Sequence, residues 1–164
     1  MTITTEGTAS DRRIAELKAV FARGVDEGLG VGASLGIRLE DVEPGKTVYY
    51  LDPNPATVNA MFTVHGGVLA TLMDTAMGSA LYTMLADGHA YTTLELKVNF
   101  IRAVPINGSR LTCRANTIHV GRTTGTSEAK ITDANGKLIG HGTCTMMIFT
   151  APDYQGPRTQ DQLK

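Results

Sequence analysis

Cysteine is scarce: the 164 residues contain only Cys113 and Cys144. So few cannot build the disulfide framework of a small secreted domain, and neither sits in the close Cys/His spacing of a zinc site. A chain of this length buries about two-thirds of its unfolded surface on folding, enough for one domain without staples. The two thiols therefore read as small buried residues of a reduced, cytoplasmic protein. Charge of one sign is equally scarce. The 15 Lys and Arg nearly balance the 16 Asp and Glu, for a formal net charge of −1 with signs intermixed. That excludes the basic block with which a protein tracks nucleic acid or an anionic membrane. The opening MTITTEGTASDRR lacks the charged-then-apolar order of a secretory leader. A clean membrane span is missing too. The greasiest stretch, HGGVLATLMDTAMGSALYTMLA (65–86), carries Asp74 near its middle, which costs roughly 2.5–3.5 kcal/mol at a bilayer centre. A soluble core suits it better.

What the chain does have is ordered patterning. Ser10 and Asp11 can cap a first helix, in which Ile14, Leu17, Val20, Phe21 and Val25 keep near-helical spacing until Gly28 and Gly30 break it. Residues 1–32 read as a helical extension packed outside the main body. Residues 33–43, ASLGIRLEDVE, alternate with Leu35, Ile37 and Leu39 on one face, a strand pattern. Pro44-Gly45 turns the chain into TVYYL, residues 47–51, β-branched and aromatic enough for a second strand. A proline-bearing loop leads to His65 and the long helix. Strands are expected near 91–102, 109–120, 123–133 and 137–150, the last two joined at Asn135-Gly136, the strongest hairpin signal present. Residues 151–164 are polar and read as a loose tail. The sum is α+β: an antiparallel sheet, residues 33–150, against one dominant helix, with an extra N-terminal helix.

Within 65–86, Leu69, Leu72, Met73, Ala76, Met77, Ala80, Leu81, Met84 and Leu85 form a wide apolar stripe for the sheet. The opposite side carries Gly67, Ala70, Thr71, Asp74, Gly78 and Ser79, small and polar where a solvated face has Lys and Glu. Such a helix is buried all round. One sheet covers one face, so a second copy of the chain is the economical cover, as a symmetric dimer. Asp74 then falls near a subunit interface, where a carboxylate caps a loop, pairs with an arginine or serves chemistry. The helix head favours chemistry. After His65, Gly66 and Gly67 leave backbone N–H groups at a helix N-terminus, where unpaired donors and the helix dipole favour a negative oxygen. Gly66 and Asp74 lie about 12 Å apart along a helix axis, too far for one carbonyl to touch both in a single chain. Gly66 of one chain facing Asp74 of another closes that gap.

Asn59, His65-Gly66-Gly67 and Leu72-Met73-Asp74 make the block N(x)5HGG(x)6D, with the strand TTLELKVNFIRAV behind it. Over about residues 33–150 this resembles the hotdog-fold acyl-CoA thioesterases of the PaaI-like family. The resemblance implies an antiparallel sheet wrapped around one long central helix. It also implies paired chains, as a homodimer or homotetramer, that build each site together. The implied reaction is hydrolysis of an acyl-CoA thioester to free acid and CoA, with no metal and no cofactor beyond the CoA of the substrate. Asp74 would be nucleophile or general base, and the Gly66 N–H would polarise the carbonyl. Asn59 would position water or the thioester, and Thr92 or Thr93 would hold the water. His65 would either shape the turn or join the catalysis. For CoA the resemblance points to Phe100, Ile101, Arg102, Ala103 and Val104 and to the turn Gly121, Arg122 and Thr123, where guanidinium forks suit phosphates. Either arginine alone can equally be a solvated charge. Gly67, Met61, Phe62 and Met77 or Leu81 would contact the substrate, the last four lining the acyl pocket. One departure concerns Gly78, which stands where some relatives carry a hydroxyl.

His89, His119 and His141 are too scattered for a metal cluster, and the methionines read as gap-filling core or acyl-pocket lining. Two other readings stay open. A hotdog acyl-thioester dehydratase would want a histidine base against a carboxylate. A non-catalytic acyl-CoA sensor would keep the pocket without needing Asp74.

Overall fold

The computed structural model describes residues 7–151; the extreme N-terminus and most of the expected tail, residues 1–6 and 152–164, lie outside the described residues. Helix α1 (Ala9–Glu27) is capped not by Ser10 and Asp11 in tandem but by Thr8. The Thr8 hydroxyl accepts from the Asp11 N–H, and the Asp11 carboxylate accepts from the Thr8 N–H. This reciprocal box satisfies two donors that a bare helix start leaves orphaned. Ser10 instead donates its hydroxyl to the carbonyl of Thr83 at 2.7 Å. A short helix α2 (Gly30–Leu35) follows, closed by Gly36 at φ 78°. The first strand therefore starts at Ile37, not near residue 33. Leu35 lies in the helical turn and packs on the core from there, because the left-handed Gly36 ends one element and lets the chain turn before the next.

The sheet comprises β1 (Ile37–Glu43), β2 (Lys46–Leu51), β3 (His89–Phe100), β4 (Leu111–Val120), β5 (Thr124–Thr132) and β6 (Leu138–Thr150). Every pairing is antiparallel, in the order β1-β2-β4-β5-β6-β3. Helix α3 (Gly66–Tyr82) lies across the inner face. Registered rows such as Tyr49-Cys113-Ile131-Gly140 and Thr47-Ala115-Ala129-Gly142 meet it there. Leu72, Met73, Ala76, Met77, Ala80 and Leu81 are fully covered. Each such Leu or Met is worth about 1.5–3 kcal/mol relative to exposure. Met84 of the expected stripe is exposed because the helix stops at Tyr82, short of residue 86. The Thr83 hydroxyl donates to the carbonyl of Ala80 and accepts from the Gly45 N–H, a side-chain bond that competes with another helical turn.

The small ridge of α3 is not all left for a partner. Gly78 and Ser79 are buried within the chain, Gly78 under Tyr91 and Ser79 against the Tyr49 hydroxyl at 2.8 Å. Ala70, Thr71 and Asp74 stay half-buried and Gly67 exposed. No helix among the described residues is long and apolar enough to cross a membrane.

Candidate active site

Leu96 and Val98 of β3 point toward the core, and strict alternation from them would bring Leu94 and Thr92 to the same face. A bulge between Thr93 and Glu95 inverts that parity. Thr93 instead pairs with Met146, which is 0% exposed on the core side, while Thr92 pairs with Met147, 39% exposed on the other. The Thr93 hydroxyl donates to Asp74 Oδ1 at 2.9 Å. Of the two threonines offered by the sequence, the bulge brings Thr93 to the carboxylate and turns Thr92 away. The Cys144 thiol lies 4.0 Å from the Thr93 oxygen; burial pushes it up to about 11, and Cys113 up to about 12, so neither is a thiolate at neutral pH.

Asp74 borders a cavity of about 440 Å³ between α1, α3, the start of β3 and the end of β6. Its size falls within the roughly 300–1,000 Å³ of ordinary ligand sites. The α1 residues Leu17, Val20 and Phe21 form one wall, a contribution that the sequence reading did not anticipate. The signal was present in their helical spacing, but that pattern does not say what the apolar side of α1 covers. Met77 and Leu81, expected in the acyl pocket, are sealed in the core and take no part in lining it; Leu81 lies under Gly125 of β5. Met61 and Phe62, 78% and 69% exposed, sit on the loop before α3 and do not line it either.

The head of α3 is organised by His65. Its Nδ1 accepts from the Gly67 N–H at 2.8 Å, and its carbonyl accepts from Val68 and Leu69. Gly67 therefore offers no bare donor. The Gly66 N–H has no acceptor among the described residues. The Phe100 ring lies where a Gly66 Cβ would come within 3.1 Å of it, so a side chain there would press on the ring and require it to shift by a few tenths of an ångström. The Asn59 side-chain oxygen accepts from the N–H groups of Met61 and Thr63 and from the Thr63 hydroxyl, which ties down the loop.

The expected CoA contacts divide between two ends of the sheet. Ile101 and Arg102 donate backbone N–H groups to Ile139, and the Arg102 guanidinium donates to the carbonyl of Leu138. Ala103 is exposed, and buried Val104 accepts from the Val64 N–H beside the α3 head. The turn Gly121-Arg122-Thr123 lies beside Ile148, which donates to the Thr123 carbonyl. From Ile139 to Ile148 is about 30 Å of strand at roughly 3.3 Å per residue. One chain does not bring Arg102 and Arg122 together. Among the described residues no group of three or more His, Cys, Asp and Glu side chains is placed to hold a metal.

A sheet curled about one central helix, with a carboxylate two turns from a glycine head, defines a hotdog-fold protein. The thioesterase superfamily model matches residues 61–139. The chain is 28% identical over 120 residues to the 1,4-dihydroxy-2-naphthoyl-CoA hydrolase of Listeria monocytogenes, covering 73% of this chain and 96% of that one. It is 32% identical over 107 residues to a protein of Halobacterium salinarum that carries the name of an esterase, covering 62% and 69%. The E. coli PaaI protein from the phenylacetic acid degradation operon superposes with a TM-score of 0.74 at 22% identity, covering 88% of this chain and 98% of that one, a likeness of fold. The chain belongs to the thioesterase superfamily and has the hotdog fold.

Proposed function

We propose that the protein hydrolyses an acyl-CoA thioester to the free acid and CoA, and that two chains build each site. The observation that carries the reading is half-buried Asp74, held by the Thr93 hydroxyl at the wall of an apolar cavity. With Oδ1 committed to Thr93, Oδ2 is the oxygen left for chemistry. As general base, it takes a proton from a water that adds to the thioester carbonyl carbon. The C–S bond then breaks, and the proton passes to the leaving sulfur. As nucleophile, the same oxygen adds to the carbonyl carbon, the C–S bond breaks to release CoA as a thiolate that takes a proton from solvent, and water cleaves the resulting anhydride to the free acid and the Asp74 carboxylate. In either course the carbonyl oxygen gains negative charge, which an unpaired N–H at a helix head stabilises; loss of one such donor typically costs about 10²–10³ in rate. His65 supports that head as its cap, and Asn59 holds the loop before it.

Gly66 and Asp74 of one chain are about 12 Å apart along the helix, so the donor facing Asp74 is the partner's Gly66. The outer edge of β3 supports this arrangement. It pairs with β6 on one side only, and Leu94 and Phe100 stand exposed along it, with Ile101 exposed just beyond its end. An unpaired edge of this kind invites a second strand. A dimer across it also gives Arg102 and Arg122 of different chains a way to serve one CoA. A tetramer would pair two such dimers. The reaction draws on no metal and no cofactor, and two free thiols suit a reducing cytoplasm.

The deciding experiment follows free thiol released from a panel of aryl and aliphatic acyl-CoAs by wild type, Asp74→Asn and Asp74→Ala. Wild type should release CoA from at least one member, and the variants should fall by about 10²–10⁴ in kcat. No release by wild type, or folded variants at full rate, would overturn the reading; binding without turnover would point to a sensor.

A further inference from the structure

We propose that the acyl group of the substrate occupies the cavity between α1 and Asp74, and that Leu17, Val20 and Phe21 select which acyl groups are turned over, favouring uncharged apolar ones. The inference rests on Asp74 as the reacting carboxylate. A thioester carbonyl held at Asp74 must send its acyl chain somewhere, and the cavity that Asp74 and Thr93 border opens from that point. Three further observations make it an acyl site.

The first is chemical. The α1 wall is wholly apolar, and among the described residues no Lys, Arg or His lines the cavity; its one charged group is Asp74 itself. An acyl chain ending in a carboxylate would lose its hydration without gaining a cation, and would face a like charge. The second concerns Gly78. A glycine inside a helix is unfavourable. Here a Cβ would come within 2.4 Å of the Tyr91 hydroxyl and 2.9 Å of its ring. Glycine lets the hydroxyl end of the Tyr91 ring, which lines the cavity, approach α3 this closely, and a side chain at that position would force the ring to shift. The third is attachment. The α1 wall lies outside the matched residues 61–139, yet it is fastened to the body beside the site. Phe21 meets Tyr49 edge to face at 5.0 Å, and Tyr49 in turn bonds Ser79 on the cavity wall. A helix held in this way is a fixed wall, and a different sequence on it would change the acyl group accepted without touching Asp74.

The test compares kcat/KM for acetyl-CoA, hexanoyl-CoA and adipoyl-CoA, the last two equal in chain length but only the last ending in a carboxylate. Wild type, Val20→Trp, Val20→Ala and Ala15→Trp are used, with Ala15 exposed on the same helix away from the cavity. One methylene of misfit in an apolar pocket changes kcat/KM by roughly 10- to 200-fold. Wild type should therefore prefer hexanoyl over adipoyl by at least about tenfold. Val20→Trp should lower the hexanoyl-to-acetyl ratio by a similar factor, and Ala15→Trp should leave it unchanged. If Val20→Trp does not fold, Val20→Ala should move the preference toward longer chains. Equal use of hexanoyl and adipoyl, or folded Val20 variants with the wild-type ratio, overturns the inference while hydrolysis stands. No hydrolysis of any acyl-CoA, here or in the wider panel, overturns the hydrolase reading and this inference with it.

Discussion

At Thr93 a single extra residue in a strand decides which hydroxyl meets the carboxylate. Both threonines have the chemistry, and they differ only in the parity that the bulge at Leu94 imposes. A hydrogen bond to a charged group contributes about 1.5–3 kcal/mol. Thr93→Val should therefore slow thioester hydrolysis by roughly 10- to 100-fold, while Thr92→Val stays near wild type. Steady-state kinetics on the two variants checks this, and an equal loss in both would remove Thr93 from its position beside Asp74. The same economy governs His65. Its ring nitrogen is spent on the Gly67 N–H, which leaves Gly66 as the open donor at the helix head.

At the scale of elements, α1 is held by one buried cation. Arg13 donates to the Tyr82 hydroxyl at 2.7 Å and to the carbonyls of Ala86 and His89 at 3.0 and 2.9 Å, and so ties α1 to the end of α3, the turn after it and the start of β3. Its guanidinium also lies 4.6 Å from the centre of the Tyr82 ring. Arg13→Met keeps much of the apolar stem but removes every one of these bonds, and each buried acceptor left unmet costs about 1–3 kcal/mol. The expected outcome is local opening: amide exchange over residues 9–27 accelerates while that of β4 and β5 stays slow. Uniform acceleration over the whole chain would mean that α1 and the sheet unfold as one unit. Because α1 walls the cavity, the variant should also blunt discrimination among acyl groups.

At the scale of the molecule, the half-buried side of α3 and the one-sided β3 edge both lack a neighbour in a single chain. Sedimentation at micromolar concentration should give a dimer or a larger even assembly. Leu94→Lys, which sets a charge on the open edge, should shift it toward monomer and take hydrolysis down with assembly. A wild-type monomer with full activity would refute the shared site.

Much of this was legible in the chain itself. Periodicity located α1, α3 and all six strands, because helices and strands repeat at 3.6 and 2 residues and the core selects one face of each. The block from Asn59 to Asp74 marked the helix head and the carboxylate, because caps, glycines and a lone charge in an apolar helix are local signals. Local patterns could not reach what depends on contacts between distant segments. The identity of the threonine beside Asp74 depends on β3's register against β6. The first strand's start waited on Gly36, and the end of α3 on a bond between Thr83 and Gly45. The sealing of Met77 and Leu81 depends on where β5 crosses the helix, and the cavity wall on Arg13 seizing carbonyls more than 70 residues away. Sequence determined which side chains could do chemistry; only the packing of separate elements decided which of them meet, because a register or a long-range hydrogen bond is a property of two segments at once.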